Sequence, residues 1–96
     1  MAKVFHTNIT DQEKIKKALQ EEGFDNIFIW RDAKGTRYPL HTHPHYEVRW
    51  IVDGTLIIIE GSNEIELHPG DRLETLPNTP HEAFAKTDVT YICGSR

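Results

Sequence analysis

The chain has a single cysteine, no long apolar run and no excess of basic residues, and each scarcity excludes a class of protein. Cys93 stands alone, so a disulfide framework is excluded, and a reducing compartment is consistent with that. The longest apolar run, residues 56–59, falls far short of the roughly 20 residues that cross a bilayer. The N-terminal residues include no apolar signal region. We therefore expect a cytoplasmic protein with no membrane partner.

The charge balance argues against a nucleic-acid partner. The formal net charge is -4, whereas phosphate binding needs a basic stripe. The lysines between residues 13 and 22 are interleaved with glutamates, which is typical of a solvated helix face.

With 96 residues the chain is predicted to form one domain, residues 1–96, with a modest core. Cys93 follows a strand-like run and is more readily a small apolar packing residue than a nucleophile.

The first part of the chain predicts one short α-helix over residues 11–22. Thr10 and Glu13 have the spacing of a capping box. Ile15 and Leu19 follow at helical spacing on one face, and Gly23 supplies a stop signal. We expect this helix to lie on the outside of the domain.

From residue 24 onward the pattern changes to short strands with a period of two. Runs at residues 27–30, 46–52, 55–59, 64–67 and 73–76, with the last strands in 81–92, are bounded by turn residues. Asp53 and Gly54 form a strong tight-turn signal. Many short strands at regular spacing favour a closed all-β domain over residues 24–93.

Three histidines and a glutamate stand out in the middle of the chain. On a strand, His41 and His43 would point to the same side, roughly 6.5–7 Å apart along the backbone. Glu47 is an even number of residues from both histidines and so has the same parity. Its side chain would point to the same side as theirs if the strand continues or bends smoothly. An H-x-H pair alone is weak, and a polar strand edge explains it equally well. The full run reads G-x5-H-x-H-x3-E-x6-G, from Gly35 to Gly54.

These intervals resemble the first sequence motif of the cupin superfamily, and the run from Gly70 to His81 resembles the second. The second motif departs from the family pattern at Leu76, Asn78 and Ala85, which affects loop shape and removes no ligand. The resemblance implies an all-β, cupin-type double-stranded β-barrel, or jelly roll, carrying the short N-terminal helix.

The resemblance also implies a metal site. Carried over by position, the ligands are His41, His43, Glu47 and His81, holding one divalent transition metal per chain. Three imidazoles and a carboxylate suit Fe, Mn, Ni, Zn or Cu without choosing among them. His45 has ligand parity, but the family spacing does not use it, so we expect it at the rim of the site or supporting a ligand. His6 and His68 are expected to be exposed.

Arg49 is the notable residue that is not a predicted ligand. It shares parity with Glu47 and would point into the same cavity on a regular strand. A buried arginine needs an acceptor, which can be a fixed internal partner or a substrate carboxylate or enolate. Residues 47–54 resemble the corresponding strand of acireductone dioxygenases, where an arginine faces substrate. That resemblance implies a catalytic role for Arg49.

Two functions are open at this point. One is a metal-dependent enzyme of dioxygenase or isomerase type, acting on a small organic acid or diketone. The alternative is a non-catalytic module that binds or senses a metal or small ligand. A cavity lined by Arg49 favours the enzyme, whereas one filled by Trp50 or Phe84 favours a structural metal. Fold alone does not decide between them.

The apolar strands also predict a homodimer. The run at residues 57–59 is apolar on both faces, and so is the run at residues 48–52 apart from Arg49. One small barrel cannot cover both sides, so the outer side is expected to meet a second subunit or the N-terminal helix.

Overall fold

The helix is one residue shorter at each end than predicted. In the computed structural model, which describes residues 2–96, α1 spans Gln12–Glu21. The predicted cap is wrong by one position, because Asp11 begins the helix and its carboxylate accepts the backbone N–H of Lys14 at 3.0 Å. A carboxylate there also meets the positive end of the helix dipole. No helix within residues 2–96 is long and apolar enough to cross a bilayer.

Nine strands account for most of the remaining described chain, and all their pairings are antiparallel. The sequence predicts neither β1 nor β3. The former is short and the latter contains Pro39, which weakens a strand signal. The strands are β1 Lys3–His6, β2 Asp25–Asp32, β3 Arg37–His41, β4 Glu47–Asp53, β5 Leu56–Glu60, β6 Asn63–Leu67, β7 Asp71–Thr75, β8 His81–Ala85 and β9 Val89–Ser95.

The strands form two sheets that pack face to face. One sheet has five strands in the order β1-β7-β4-β9-β2, and the other has four in the order β3-β8-β5-β6. The fold class is therefore confirmed as an all-β jelly roll with one helix. The two sheets form a sandwich and do not close into the predicted barrel. The main core lies between them and is made of aliphatic, alanine and tyrosine side chains, among them Ile51, Leu56, Ile58, Leu67, Leu73 and Tyr91.

A second core lies between the helix and the outer face of the five-stranded sheet. Ile15 and Leu19 are completely buried there, against Val48, Trp50 and Ile92. Burial of each aliphatic side chain is worth roughly 1.5–3 kcal/mol. The helix thus covers the outer apolar face of β4 within the same chain, which is one of the two predicted outcomes. The homodimer stays a prediction.

A partly buried charge network links the end of the helix to the sheet. The guanidinium of Arg72 donates to both carboxylate oxygens of Glu22, at 2.6 and 2.7 Å, and its Nε lies 3.1 Å from Glu74. The hydroxyl of Tyr46 also donates to Glu74. Tyr46 precedes Glu47, so this network anchors the chain immediately before a predicted ligand.

Two of the motif glycines are required by close backbone approach. A Cβ on Gly54 would lie 2.0 Å from the carbonyl oxygen of Asp88, and one on Gly70 would lie 2.7 Å from the Cα of Asn8. Both glycines also have φ near +80 to +90°, which side chains rarely adopt. The motif therefore has glycine at these two positions because a turn there packs directly against neighbouring backbone.

Candidate metal centre

The four predicted ligands meet at one end of the sandwich, where several elements begin or end. His41 is the last residue of β3 and pairs in register with His81, the first residue of β8. Glu47 is the first residue of β4, in the opposite sheet. His43 lies in the segment between them, residues 42–46, which crosses from one sheet to the other. The chain therefore does not meet the condition that one strand continues or bends smoothly through His41, His43 and Glu47, although the side chains still converge.

The three imidazole rings are in mutual contact. The centroid of His41 lies 4.7 Å from that of His43 and 4.4 Å from that of His81, and the remaining pair is 5.3 Å apart. One nitrogen from each ring can be chosen so that all three lie within 4.8 Å of one another. Ligand atoms on one transition-metal ion are about 3–4 Å apart, so small side-chain adjustments would bring these nitrogens together on a single ion.

Backbone carbonyls orient two of the rings. Nδ1 of His41 lies 2.6 Å from the carbonyl oxygen of Pro39, and Nδ1 of His81 lies 2.9 Å from that of Thr79. A carbonyl can only accept, so Nδ1 carries the hydrogen in each neutral ring. The lone pair is then on Nε2, which is the arrangement found in histidines that ligate metals.

The turn that precedes His81 is tied to the first histidine segment. Asn78 has a φ of 60°, in the left-handed region that asparagine adopts more readily than most residues. Its backbone N–H donates to the carbonyl of His43 at 2.7 Å. This hydrogen bond joins the two motif segments beside the rings.

Buried atoms without hydrogen-bond partners mark the point where the ligands converge. Nε2 of His43, Nε2 of His81 and Oε1 of Glu47 are all buried and have no hydrogen-bond partner among residues 2–96. Nε2 of His43 lies 3.3 Å from that carboxylate oxygen, which is within ion-pair distance although the two atoms do not form a hydrogen bond. Leaving a buried polar atom unpaired costs about 1–3 kcal/mol, more for a charged group. A cation between these atoms would satisfy all of them, so the residues fit a divalent metal.

Burial also keeps two of the rings ready to ligate. The pKa of His81 is lowered below its usual 6.5, first by desolvation and further by the nearby positive charge of Arg49. The pKa of His43 is also lowered, chiefly by desolvation, with Glu47 opposing the shift. Since a metal binds the neutral imidazole, both shifts favour ligation at mildly acidic pH.

Arg49 lies beside the histidines and lines the same cavity as Glu47, as their shared parity on β4 predicts. Its Nη1 atom is buried and has no hydrogen-bond partner among residues 2–96. The interpretation in which a fixed internal acceptor holds the guanidinium therefore has no support at this atom. An anionic ligand in the cavity would supply the missing acceptor.

The cavity has a volume of about 250 Å³. His41, His43, Glu47 and Arg49 form its polar end. Its other walls are largely aromatic, with Phe28, Trp30, Tyr38 and Tyr91. This volume lies just below the range of pockets that take drug-sized ligands, so the cavity has room for a small molecule.

The two side chains that could have filled the cavity lie elsewhere. Trp50 packs under the helix and donates its indole N–H to the carbonyl of Ile9 at 2.9 Å. Phe84 stacks against the guanidinium of Arg37, which lies 4.3 Å from the centre of the Phe84 ring, and Phe84 does not line the cavity.

Cys93 does line the cavity, and burial raises the pKa of this thiol to about 12. A thiol with that pKa is inert at neutral pH, in keeping with its predicted packing role.

The other histidines stay outside the cluster. His45 is exposed, and it lies near enough to His43 for its charge to lower that residue's pKa. His6 is also exposed, at the surface of β1, where its ring meets Asp71 at 2.6 Å. His68 is exposed beside Glu66.

The aromatic wall is the part of the site that the sequence analysis misses. Phe28 and Trp30 were predicted only as strand residues, and Asp32 had no predicted role. Their alternate positions on one strand place all three on the same face, toward the cavity side of the five-stranded sheet. That period-two pattern of an aromatic, an aromatic and a carboxylate was the available signal.

Comparison with protein families gives a match to the cupin domain over residues 28–93. The chain belongs to the cupin family. The match covers both histidine motifs and ends at Cys93, so it includes every predicted ligand. Comparison with curated protein sequences finds no match to this cupin.

Solved structures share the fold at low sequence identity. A DUF861 family protein from Thermotoga maritima is 15% identical with a TM-score of 0.71, and each chain covers 100% of the other. DMSP lyase DddQ from Ruegeria pomeroyi is 25% identical with a TM-score of 0.66, covering 73% of this chain and 36% of its own. A salicylate 1,2-dioxygenase variant from Pseudoaminobacter salicylatoxidans is 17% identical with a TM-score of 0.67, covering 72% of this chain and 20% of its own. This cupin therefore spans well under two thirds of either enzyme.

Proposed function

We propose that this cupin binds one divalent transition metal, Fe, Mn, Ni, Zn or Cu, through His41, His43, Glu47 and His81. With Arg49 it would act on a small organic acid or diketone, in a reaction of dioxygenase or isomerase type. The observation that carries the proposal is a set of buried atoms of His43, Glu47 and Arg49 that have no hydrogen-bond partner among residues 2–96 and lie at the polar end of a small cavity. The similarly unpartnered Nε2 of His81 lies in the adjoining cluster of imidazoles.

The chemistry divides between the metal and the chain. When bound, a divalent metal supplies Lewis-acid polarisation of substrate oxygens and, if redox-active, oxygen chemistry. Arg49 would bind the substrate's carboxylate or enolate oxygen, because its guanidinium stays protonated and has an unused buried donor. Negative charge that develops on the substrate would be stabilised by that fixed donor. The aromatic walls would exclude water from the reacting groups.

The enzyme neighbours support the proposal that this fold can host catalysis, and they do not identify a reaction for this chain. One is named a dioxygenase and another a lyase. This cupin covers 20% and 36% of those chains, so their substrates do not transfer to it. The predicted homodimer and cytoplasmic location are likewise proposals.

The test combines metal analysis with a substrate panel. Protein purified without a tag and loaded with Fe(II) or Ni(II) is assayed for oxygen consumption and for product formation with small diketones, enediols and hydroxy acids. Arg49→Ala should weaken binding of anionic substrates roughly 10- to 100-fold, the worth of a hydrogen bond to a charged group, and leave the metal in place. Arg37→Ala is the matched control, since Arg37 lies over Phe84 away from the cavity.

Three results would change the assignment. Loss of the fold or of the metal in Arg49→Ala would make Arg49 structural and remove the best residue of the enzyme proposal. Metal and anion binding without turnover on the panel would favour the non-catalytic binding or sensing module. Protein that takes up no metal would overturn the proposal.

A further inference from the structure

We propose that the cavity selects a zwitterionic substrate, with the cationic group of the ligand held in an aromatic corner formed by Phe28 and Trp30 and backed by Asp32. This inference rests on the proposed function, because the carboxylate end of the ligand is assigned to Arg49 and the metal site. It adds the chemical class of the opposite end.

The aromatic corner is open to a ligand. The rings of Phe28 and Trp30 meet edge to face, with centroids 6.1 Å apart and planes at 84°. Both side chains line the cavity, and each is 47% exposed. The two rings thus form a nearly right-angled corner in the cavity wall, and the negative π surface of an aromatic ring is an environment that a cationic group prefers.

A buried carboxylate lies directly behind the corner. Asp32 is 7% exposed and accepts the indole N–H of Trp30 at 3.0 Å, the hydroxyl of Tyr38 at 2.6 Å and the hydroxyl of Tyr91 at 2.7 Å. Burial, with the hydrogen bond to Asp32, raises the pKa values of both tyrosines, so both remain protonated donors.

The charge of Asp32 is not neutralised within the described chain. Its three donors are uncharged, and it forms no ion pair with any of residues 2–96. A carboxylate surrounded by neutral groups at low dielectric leaves a negative potential nearby. That potential adds to the ring faces in favouring a cation. An uncharged apolar group of the same shape would fit the corner but would gain nothing from this charge.

The strand register places the two ends of the ligand. Arg49 and Phe28 both pair with Cys93, from opposite sides of β9, so they lie in one row two strands apart. Their Cα atoms are therefore roughly 10 Å apart, and both side chains line the cavity. Because those side chains take up part of that span, the ligand carries its charges only a few carbon atoms apart. A short carboxylic acid with an ammonium or other onium group fits the description.

The test uses two probes of equal shape. Isothermal titration calorimetry of the metal-loaded protein compares the zwitterion 4-(trimethylammonio)butanoate with its isostere 5,5-dimethylhexanoate, which keeps the carboxylate and has a neutral tert-butyl end. The probe with the cationic end should bind about 2- to 30-fold more tightly than the one with the neutral end, the range of a cation–π contact from exposed to desolvated settings. Trp30→Leu and Asp32→Asn should each bring the affinity ratio toward one. Phe84→Leu is the matched control, because it removes an aromatic ring outside the cavity.

Each outcome decides the inference. Equal affinity for the two probes, tighter binding of the one with the neutral end, or no binding of either at millimolar concentration would overturn it. A preference that survives in both Trp30→Leu and Asp32→Asn would also overturn it. Arg49→Ala should weaken both probes equally and leave their ratio unchanged. Metal content, measured separately, tells the two proposals apart, since a protein with one metal and no cation preference keeps the proposed function and loses this inference.

Discussion

His81→Ala tests the proposed metal centre most directly, because His81 is a proposed ligand and is 1% exposed. If the native protein is held at a metal concentration about 100-fold above its dissociation constant, binding adds about 2.7 kcal/mol to the free energy of unfolding. For a domain of this size each kcal/mol shifts the melting temperature by roughly 4–8 °C, so metal should raise it by about 11–22 °C. The variant should show no such rise and should not bind one metal per chain.

The measurement must separate loss of metal from loss of fold. Removing the imidazole leaves the carbonyl of Thr79 without its partner, which costs about 1–3 kcal/mol even without metal. The quantity to compare is therefore the metal-induced increment in melting temperature for each protein, together with the stoichiometry from calorimetry. His68→Ala is the matched control, since that histidine is exposed and outside the cluster. A full equivalent of metal with an unchanged increment in His81→Ala would refute the assignment.

Further expectations concern pH, the helix and the assembly. The pKa values of His43 and His81 are lowered chiefly by burial, so metal affinity, followed by competition with a chelator, should hold at pH 6.5 and fall only at lower pH; a midpoint above 6.5 would contradict this. Leu19→Ala should reduce the free energy of unfolding in urea by about 2–5 kcal/mol, because this fully buried side chain docks the helix, whereas Lys17→Ala on its exposed side should change little. Light scattering at micromolar concentration should give the mass of a dimer, and a monomeric mass would remove that prediction.

The fold could be predicted because local signals and spacing agree over most of the chain. Short stretches of sequence are enough to predict the turn at Asp53 and Gly54 and the alternating strands. The spacing of apolar residues predicts the helix. Strand β1 was not predicted because it has no such local signal. It forms by pairing with β7, and Val4 lies opposite Leu73 in that pair. The cap shifted from Thr10 to Asp11 because both residues are good caps and the spacing alone does not separate them.

The sequence analysis named candidate ligands for the site and did not identify the residues that form its aromatic wall. Histidines at motif spacing are rare enough to be noticed, whereas Phe28 and Trp30 look like ordinary strand residues. Asp32 looks like a turn residue after the strand until the structure places it beneath Trp30, Tyr38 and Tyr91. Those three donors come from separate strands, so no short window of sequence could have linked them.

The argument from strand parity grouped His41, His43 and Glu47 on the condition that one strand continues or bends smoothly through them. The structure does not meet that condition, because the chain leaves β3 at His41 and enters the opposite sheet at Glu47. Convergence arises because the segment between them crosses the open end of the sandwich and is held there by the hydrogen bond from Asn78 to His43. Within β4, where the strand is regular, parity did hold, and it placed Arg49 beside Glu47 in the cavity. An even spacing between two residues therefore predicts that their side chains point the same way only within one hydrogen-bonded strand. For residues on either side of a crossing segment, only the full motif spacing predicts that they converge.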